Sequence, residues 1–329
     1  MNKKIIAVAV AAGLTLPIIA AQAADMETKS PEVYGKLHVN LSKYDNDGTA
    51  GDNFKLNSFD SRLGFKGQQN LAEGLVGTYQ AEGKIVVDGT TSNFADRTTY
   101  VGLKGGFGEV RVGYHDSPLK LAQGKFDQFG DTDGDFKHAG SQDAEHRNKN
   151  SITYLGKFGD VGVNLQLMPG EGNGTAGGNG NGVADSTSVA VTYNTGSLYL
   201  AAAQDSYDKK SAAGPEASMT RFVATYKVND MQFGVLAQNG VEAVSASTAK
   251  ENWLGLSFNV KLGSNNKLKA QYITTKDNGA TVEKGTQTTI GFDHKLGKKG
   301  TLYAMYNNLD MTTNAKDKSS VSVGYILKF

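Results

Sequence analysis

The stretch Val33-Tyr34-Gly35-Lys36-Leu37-His38-Val39-Asn40-Leu41-Ser42 decides the fold. Side chains of an extended chain alternate between two faces. Val33, Gly35, Leu37, Val39 and Leu41 therefore share one face, and Tyr34, Lys36, His38, Asn40 and Ser42 share the other. One face is apolar and the other is wet. The same alternation returns in residues 58–66, where Phe59, Leu63 and Phe65 oppose Asp60, Arg62 and Lys66. It continues through residues 151–156, 188–193, 221–228, 231–238, 253–260, 268–275, 288–295, 302–309 and 321–329. With the intervening segments this makes about 16 strands, an even number suited to an all-β, transmembrane antiparallel barrel.

Two further features separate a membrane barrel from a soluble β-protein. Short turns at Gly105-Gly106, Gly159-Asp160 and Thr195-Gly196 alternate with long polar loops at residues 169–185 and 205–217, the asymmetry of a barrel with two unlike rims. The chain also ends on Val321, Val323, Tyr325, Leu327 and Phe329, five apolar side chains on one face. A soluble edge strand of that character invites aggregation. In a bilayer the sheet must close on itself, because lipid offers no partner to a free backbone edge. The wet face then lines the inside, and about 16 strands leave an aqueous lumen. Tyr34, Tyr44, Tyr79, Tyr114, Tyr193, Tyr226, Trp253, Tyr272, Tyr303 and Tyr325 supply candidates for the aromatic belts at the two membrane interfaces.

Residues 1–23 carry Lys3 and Lys4, an apolar run to Ile19 and the small-residue site Ala21-Gln22-Ala23, the layout of a signal peptide cleaved after Ala23. Residues 24–329 then form one domain, since no linker divides them. Loss of the two lysines takes the formal charge from +1 to −1. A near-neutral chain gives no support to a nucleic-acid partner. With no cysteine, disulfides and thiolate chemistry are excluded. The 41 glycines would weaken a helical protein and suit strands and turns.

No cofactor or metal is expected. Gly172-Asn173-Gly174-Thr175-Ala176-Gly177 matches a dinucleotide fingerprint by letters but lies in a Gly/Asn loop with no helix to receive a phosphate. Asp131-Thr132-Asp133-Gly134-Asp135 opens like a calcium loop, yet Phe136 and Gln142 stand where that loop needs Gly and Glu. The five histidines have no metal-ligand spacing, and no nucleophile elbow accompanies them. An enzyme is not expected.

Several segments resemble the general bacterial porins, trimeric outer-membrane channels with 16-stranded barrels. They are Tyr34-Gly35-Lys36, Ser61-Arg62-Leu63-Gly64-Phe65-Lys66-Gly67, Arg97 with Val101-Gly102-Leu103-Lys104, Phe107-Gly108-Glu109-Val110-Arg111-Val112-Gly113, Arg147-Asn148-Lys149-Asn150-Ser151, and the terminal residues 324–329. The resemblance implies that residues 116–146 fold into the barrel as a constriction loop. It places Lys36, Arg62, Arg97 and Arg147 on a basic wall, opposite loop carboxylates taken as Asp127, Asp131, Asp133 and Asp135. Alternation turns Lys36, Arg62 and Arg147 inward, whereas Arg97 shares parity with outward Val101 and Leu103 and needs a bulge. Gln128 departs from the enteric pattern, which has an acid there.

What the resemblance implies is passive diffusion of small hydrophilic solutes and ions across the bacterial outer membrane. The partners implied are membrane lipid, lipopolysaccharide and two further copies in a homotrimer, with residues 88–97 as a latch between subunits. The aspartate run and the mature charge favour cations. Two other readings of the same barrel stand beside this one: a solute-specific channel, and a non-channel adhesin or enzyme acting through its long loops.

Overall fold

The computed structural model describes residues 28–46, 53–89, 95–139, 145–170, 182–207, 217–244, 247–277, 285–311 and 318–329. The signal segment, the Gly/Asn run at 172–177 and residues 90–94 of the expected latch lie outside them. The strands are β1 Lys29–Asn46, β2 Asn53–Ser58, β3 Arg62–Ala72, β4 Leu75–Lys84, β5 Ala95–Gly105, β6 Gly108–Asp116, β7 Arg147–Phe158, β8 Val161–Met168 and β9 Ser186–Asn194. They continue with β10 Leu198–Tyr207, β11 Ala217–Val228, β12 Met231–Val244, β13 Ser247–Leu262, β14 Asn266–Asp277, β15 Gly285–Leu296, β16 Gly300–Met311 and β17 Lys318–Lys328.

Apart from β2 and β3, which both pair with β1, each strand pairs antiparallel with its sequence neighbours, and β1 closes the sheet by pairing with β17 from Lys36↔Lys328 to Asn46↔Lys318. On its other edge β1 meets β2 at Val39↔Ser58 and then β3 at Lys36↔Arg62. β2 and β3 are thus one wall strand bent at residues 59–61, and the barrel has sixteen strands. The last residue completes the seam, with Phe329 and Gly35 exchanging both backbone hydrogen bonds at 3.1 Å.

Seven tight turns join β3–β4, β5–β6, β7–β8, β9–β10, β11–β12, β13–β14 and β15–β16 at one rim. Backbone with positive φ allows several of them, including Gly196 (φ 88), Asn229 (φ 52) and Gly263 (φ 69). The longer connections lie at the other rim. β10 runs two residues beyond Asp205, so that expected loop begins later, and Asp205 is an inward, fully buried wall residue.

Outside, the barrel is apolar. Val33, Leu41, Leu56, Val101, Phe222, Leu254, Val321 and Val323 are all more than half exposed on the outer face, where hydrocarbon rather than water covers them. Tyr193, Tyr226 and Tyr272 also stand exposed there. Tyr34, Tyr44, Trp253 and Tyr303 do not join a belt, because their strand positions turn them into the barrel.

The inside is not uniformly wet. After β6 the chain folds inward as α1 Pro118–Ala122, an irregular run, and a 3-10 turn Phe136–Ala139. Leu119, Ala122, Phe126, Phe136 and Ala139 pack on Ala190, Ala201, Ala203, Met219, Val223, Leu236, Trp253 and Ile273 of β9–β14. Those wall residues face the loop and not the lumen water, so their inner positions are apolar. Phe126 lies where a Cβ on Gly255 would stand, so glycine there lets the loop approach the wall. Phe129 packs with Tyr303 and Met305 farther round.

Candidate functional site

The inward loop packs on the inner face of β9–β17 and meets β1 and β3 through Asp131. Lys36 on β1 and Arg62 on β3 sit directly opposite each other in the register, so both guanidinium and ammonium project from neighbouring inward positions. Arg97 joins them through a β-bulge. Ala81 pairs with Thr99 and Gly83 with Asp96, so Arg97 and Thr98 together oppose Glu82. The extra residue reverses parity and swings Arg97 inside, while Val101 and Leu103 stay outside.

The three basic residues share a set of carboxylates. Arg97 donates from Nε to Glu82 Oε1 at 2.6 Å and from Nη1 to Asp60 Oδ1 at 2.5 Å. Arg62 Nε lies 3.6 Å from Glu82 Oε2, which also accepts from Tyr34 Oη at 2.9 Å. Lys36 Nζ donates to Asp131 Oδ2 at 2.5 Å, with Arg62 Nη1 3.9 Å from the same oxygen. Asp60 (φ 43) and Asp131 (φ 62) both hold the left-handed conformation, which is costly for a residue with a Cβ. Both are aspartates, among the residues that tolerate it best.

Burial, followed by the neighbouring Asp60 carboxyl, pushes the Asp131 carboxyl above the usual carboxylate range, against the pull of Lys36. Arg147 stands apart. Its Nη2 lies 3.1 Å from Asp116 Oδ1, which Lys120 also reaches at 3.1 Å.

The four loop aspartates do unlike things. Asp127 accepts from the Phe129 amide at 2.9 Å and shapes the turn. Asp131 meets the basic wall. Asp133 docks on β1, accepting from Tyr44 Oη at 2.8 Å and Ser42 Oγ at 3.1 Å. Asp135 accepts from the Asp131 and Lys137 amides and pairs with Lys137 Nζ at 2.9 Å, bracing the loop internally. Their carboxylates diverge, unlike the ligands of a calcium loop.

Three groups at this site escape a reading by motif. Asp60 and Glu82 complete the charge cluster; Glu82 shares strand parity with Thr78 and Gln80, a signal that was available. Arg221 on β11 is fully buried and fastens the loop: Nη1 donates to Leu119 O at 3.2 Å and Nη2 to Glu145 Oε1 at 2.9 Å. Its Nε donates to Gln238 at 2.8 Å, and its guanidinium lies over the Phe136 ring.

Residues 7–314 match the family model described as Gram-negative porin. The chain belongs to the Gram-negative porin family. Among curated relatives, outer membrane porin protein 32 of Delftia acidovorans is 28% identical over 94% of this chain and 91% of its own length. A major outer membrane protein P.IB of Neisseria gonorrhoeae is 30% identical over 192 residues. The match spans 54% of the chain and about half, 51%, of that relative.

The fold of this porin is also that of an anion-selective porin from Comamonas acidovorans, with a TM-score of 0.78 at 23% identity, covering 92% of this chain and 100% of that one. It is likewise that of OmpF of Salmonella typhi, solved in complex with daunomycin, with a TM-score of 0.74 at 15% identity over 92% and 100% of the two chains. The family and its named relatives place the porin in the outer membrane.

Proposed function

We propose that this porin is a passive channel through which small hydrophilic solutes and ions diffuse across the outer membrane. The observation that carries it is the meeting of Lys36, Arg62 and Arg97 with Asp60, Glu82 and Asp131 inside a closed barrel. Charges fixed at a narrow wet passage order water and orient dipoles. Apolar solutes must disrupt that water and pass poorly, whereas ions exchange hydration for weak, reversible contacts. No bond is made or broken, so no catalytic group is required. Arg147 and Asp116 extend the charged wall, and Asp127, Asp133 and Asp135 hold the loop in place.

The ion preference follows from which charges remain free. Asp133 and Asp135 are engaged by hydroxyls, amides and Lys137, so the aspartate run does not confront the lumen as a block. Arg62 keeps more than a quarter of its side chain exposed and Lys104 and Lys149 stand exposed, while Lys66 pairs with Glu32 at 3.3 Å. This balance favours anions, the opposite of what the bare aspartate count favours, and it agrees in sign with the name of the Comamonas porin.

A trimer is supported by the trimer form in which OmpT of Vibrio cholerae, of like fold (TM-score 0.68), was solved. The apolar outer band fits membrane lipid, and the long-loop rim is the side for lipopolysaccharide. The signal segment is proposed to leave after Ala23. Single-channel recording of refolded mature protein tests the proposal: current steps in threes, conductance rising linearly with KCl, and an anionic reversal potential in a salt gradient. Silence from demonstrably folded barrels would sink it.

A further inference from the structure

The short-turn rim holds a concentration of positive charge that the constriction does not use. Lys227 on β11, Lys261 on β13, Lys267 and Lys269 on β14, and Lys295 on β15 lie at the strand ends nearest the turns 229–230, 263–265 and 297–299. All five share parity with buried inner residues of their own strands: Lys227 with Arg221 and Val223, Lys261 with Trp253, Lys267 and Lys269 with Gln271 and Ile273, and Lys295 with Gln287 and Thr289. They therefore project into the barrel and not toward lipid.

The loop adds a sixth. Lys125, exposed, is held over this wall because its carbonyl accepts from Gln232 Nε2 at 3.0 Å, while the next turn accepts from Lys269 at Gln128 O, also 3.0 Å. Lys125 lies within electrostatic reach of Lys227 and Lys267, and Lys261 reaches Lys227 and Lys295 reaches Lys267. Opposing them in the wall is Asp293, 2.8 Å from Lys269 and 3.8 Å from Lys267, with Asp230 exposed on its turn. His294 is tied to Asn266 at 2.8 Å.

Among the described residues six ammonium groups thus meet Asp293 and Asp230 over β11–β15, an arc of roughly 20 Å at about 4.8 Å per strand, with the Asp127 carboxyl buried between the Phe129 amide and Gln271. Like charges at such spacing repel, and they accumulate on a low-dielectric wall only at a cost that a multivalent anion relieves. Lysine suits this task, since its flexible ammonium tracks an extended anion without a fixed fork geometry.

We infer that this lysine arc is a binding site for multivalent anions of the polyphosphate class, open to the short-turn side of the constriction. The inference rests on the channel reading above. Occupation narrows the anion path from that side alone, so block is asymmetric across the membrane.

The test uses inorganic tripolyphosphate as the probe. The chain has no cysteine, so Ser264→Cys on the turn gives a unique handle to report, with an impermeant maleimide, which rim faces which chamber. Tripolyphosphate added at the short-turn side blocks KCl current at a concentration at least ~10-fold lower than from the opposite side. The triple change Lys227→Gln, Lys261→Gln and Lys295→Gln abolishes that difference, whereas the three lysine-to-arginine changes retain it. Block fades toward 1 M KCl, where the screening length falls to about 3 Å.

Equal block from both sides, or block unchanged by the triple glutamine variant, overturns the site while leaving a KCl-conducting channel intact. Isothermal titration of tripolyphosphate into the folded barrel in detergent reads the site without conduction. A heat signal lost in the triple variant supports the arc even in a barrel that fails to conduct. No heat with the parent protein refutes it.

Discussion

Asp131 is the residue at which the inward loop meets the basic wall. It is the loop carboxylate that touches Lys36, and burial with Asp60 beside it raises its affinity for a proton. An acid whose folded pKa lies above its unfolded one costs stability while ionised, and that cost disappears as pH falls through the folded value. Protonation also removes a negative charge from the passage and frees Lys36. Lowering pH from neutral is therefore expected to shift the salt-gradient reversal potential toward anions. Asp131→Asn should show the acid-like value at neutral pH and lose the pH dependence, as reversal potentials at pH 7 and below will reveal. Arg97 teaches a different lesson at this scale. Its type and position were legible, but its direction depends on one extra residue in β5, which alternation alone does not locate.

Among the elements, the inward loop carries most of what a strand pattern cannot express. It is long enough to leave the wall, and it stays inside because its apolar side chains bury themselves on small and apolar inner residues of β9–β14. Arg221 ties its start, its 3-10 turn and its end to one point on β11. Arg221→Met should destabilise the barrel by about 3–5 kcal/mol, the usual result of stranding one partner of a buried ion pair. Urea titration in detergent checks this. Open-channel noise should rise as the loop loosens, and adding Glu145→Gln should recover much of the stability, because the stranded charge is then gone. At the seam between β1 and β17, a Cβ on Gly35 would enter the Phe329 ring. Gly35→Val is expected to cost about 1–3 kcal/mol by overpacking, seen as slower closure in refolding followed by heat-modifiable gel mobility.

For the whole molecule, the physics of the bilayer is the organising constraint. The backbone edges of β1 and β17 have no alternative to each other in hydrocarbon, and their pairing makes a cylinder with an inside. The outer face then needs only to be apolar, whereas the inner face divides between an open charged wall and an apolar one beneath the loop. Light scattering of the refolded mature porin in detergent is expected to give the mass of three chains. A single-chain mass would place the trimer reading in error while leaving the pore within one barrel. Conductance through each barrel should scale with bulk salt at high ionic strength, where fixed wall charges are screened.

The sequence by itself determined the barrel, its strand number and the inward course of Lys36 and Arg62, since a period of two and the turn chemistry are local and repeat along the chain. The resemblance to the porins marked the residues that leave the wall. Only the tertiary structure decided where that loop lies, that Asp131 alone of the four aspartates meets Lys36, and that Arg97 turns inside at a bulge. The same holds for Trp253, Tyr44 and Tyr303, which read as belt residues and are buried against or beside the loop. The reason is common to all of them. Periodicity tells which side of a strand a residue occupies, but an inner face becomes water or core only when a distant segment covers it, and that segment's path is set by long-range packing.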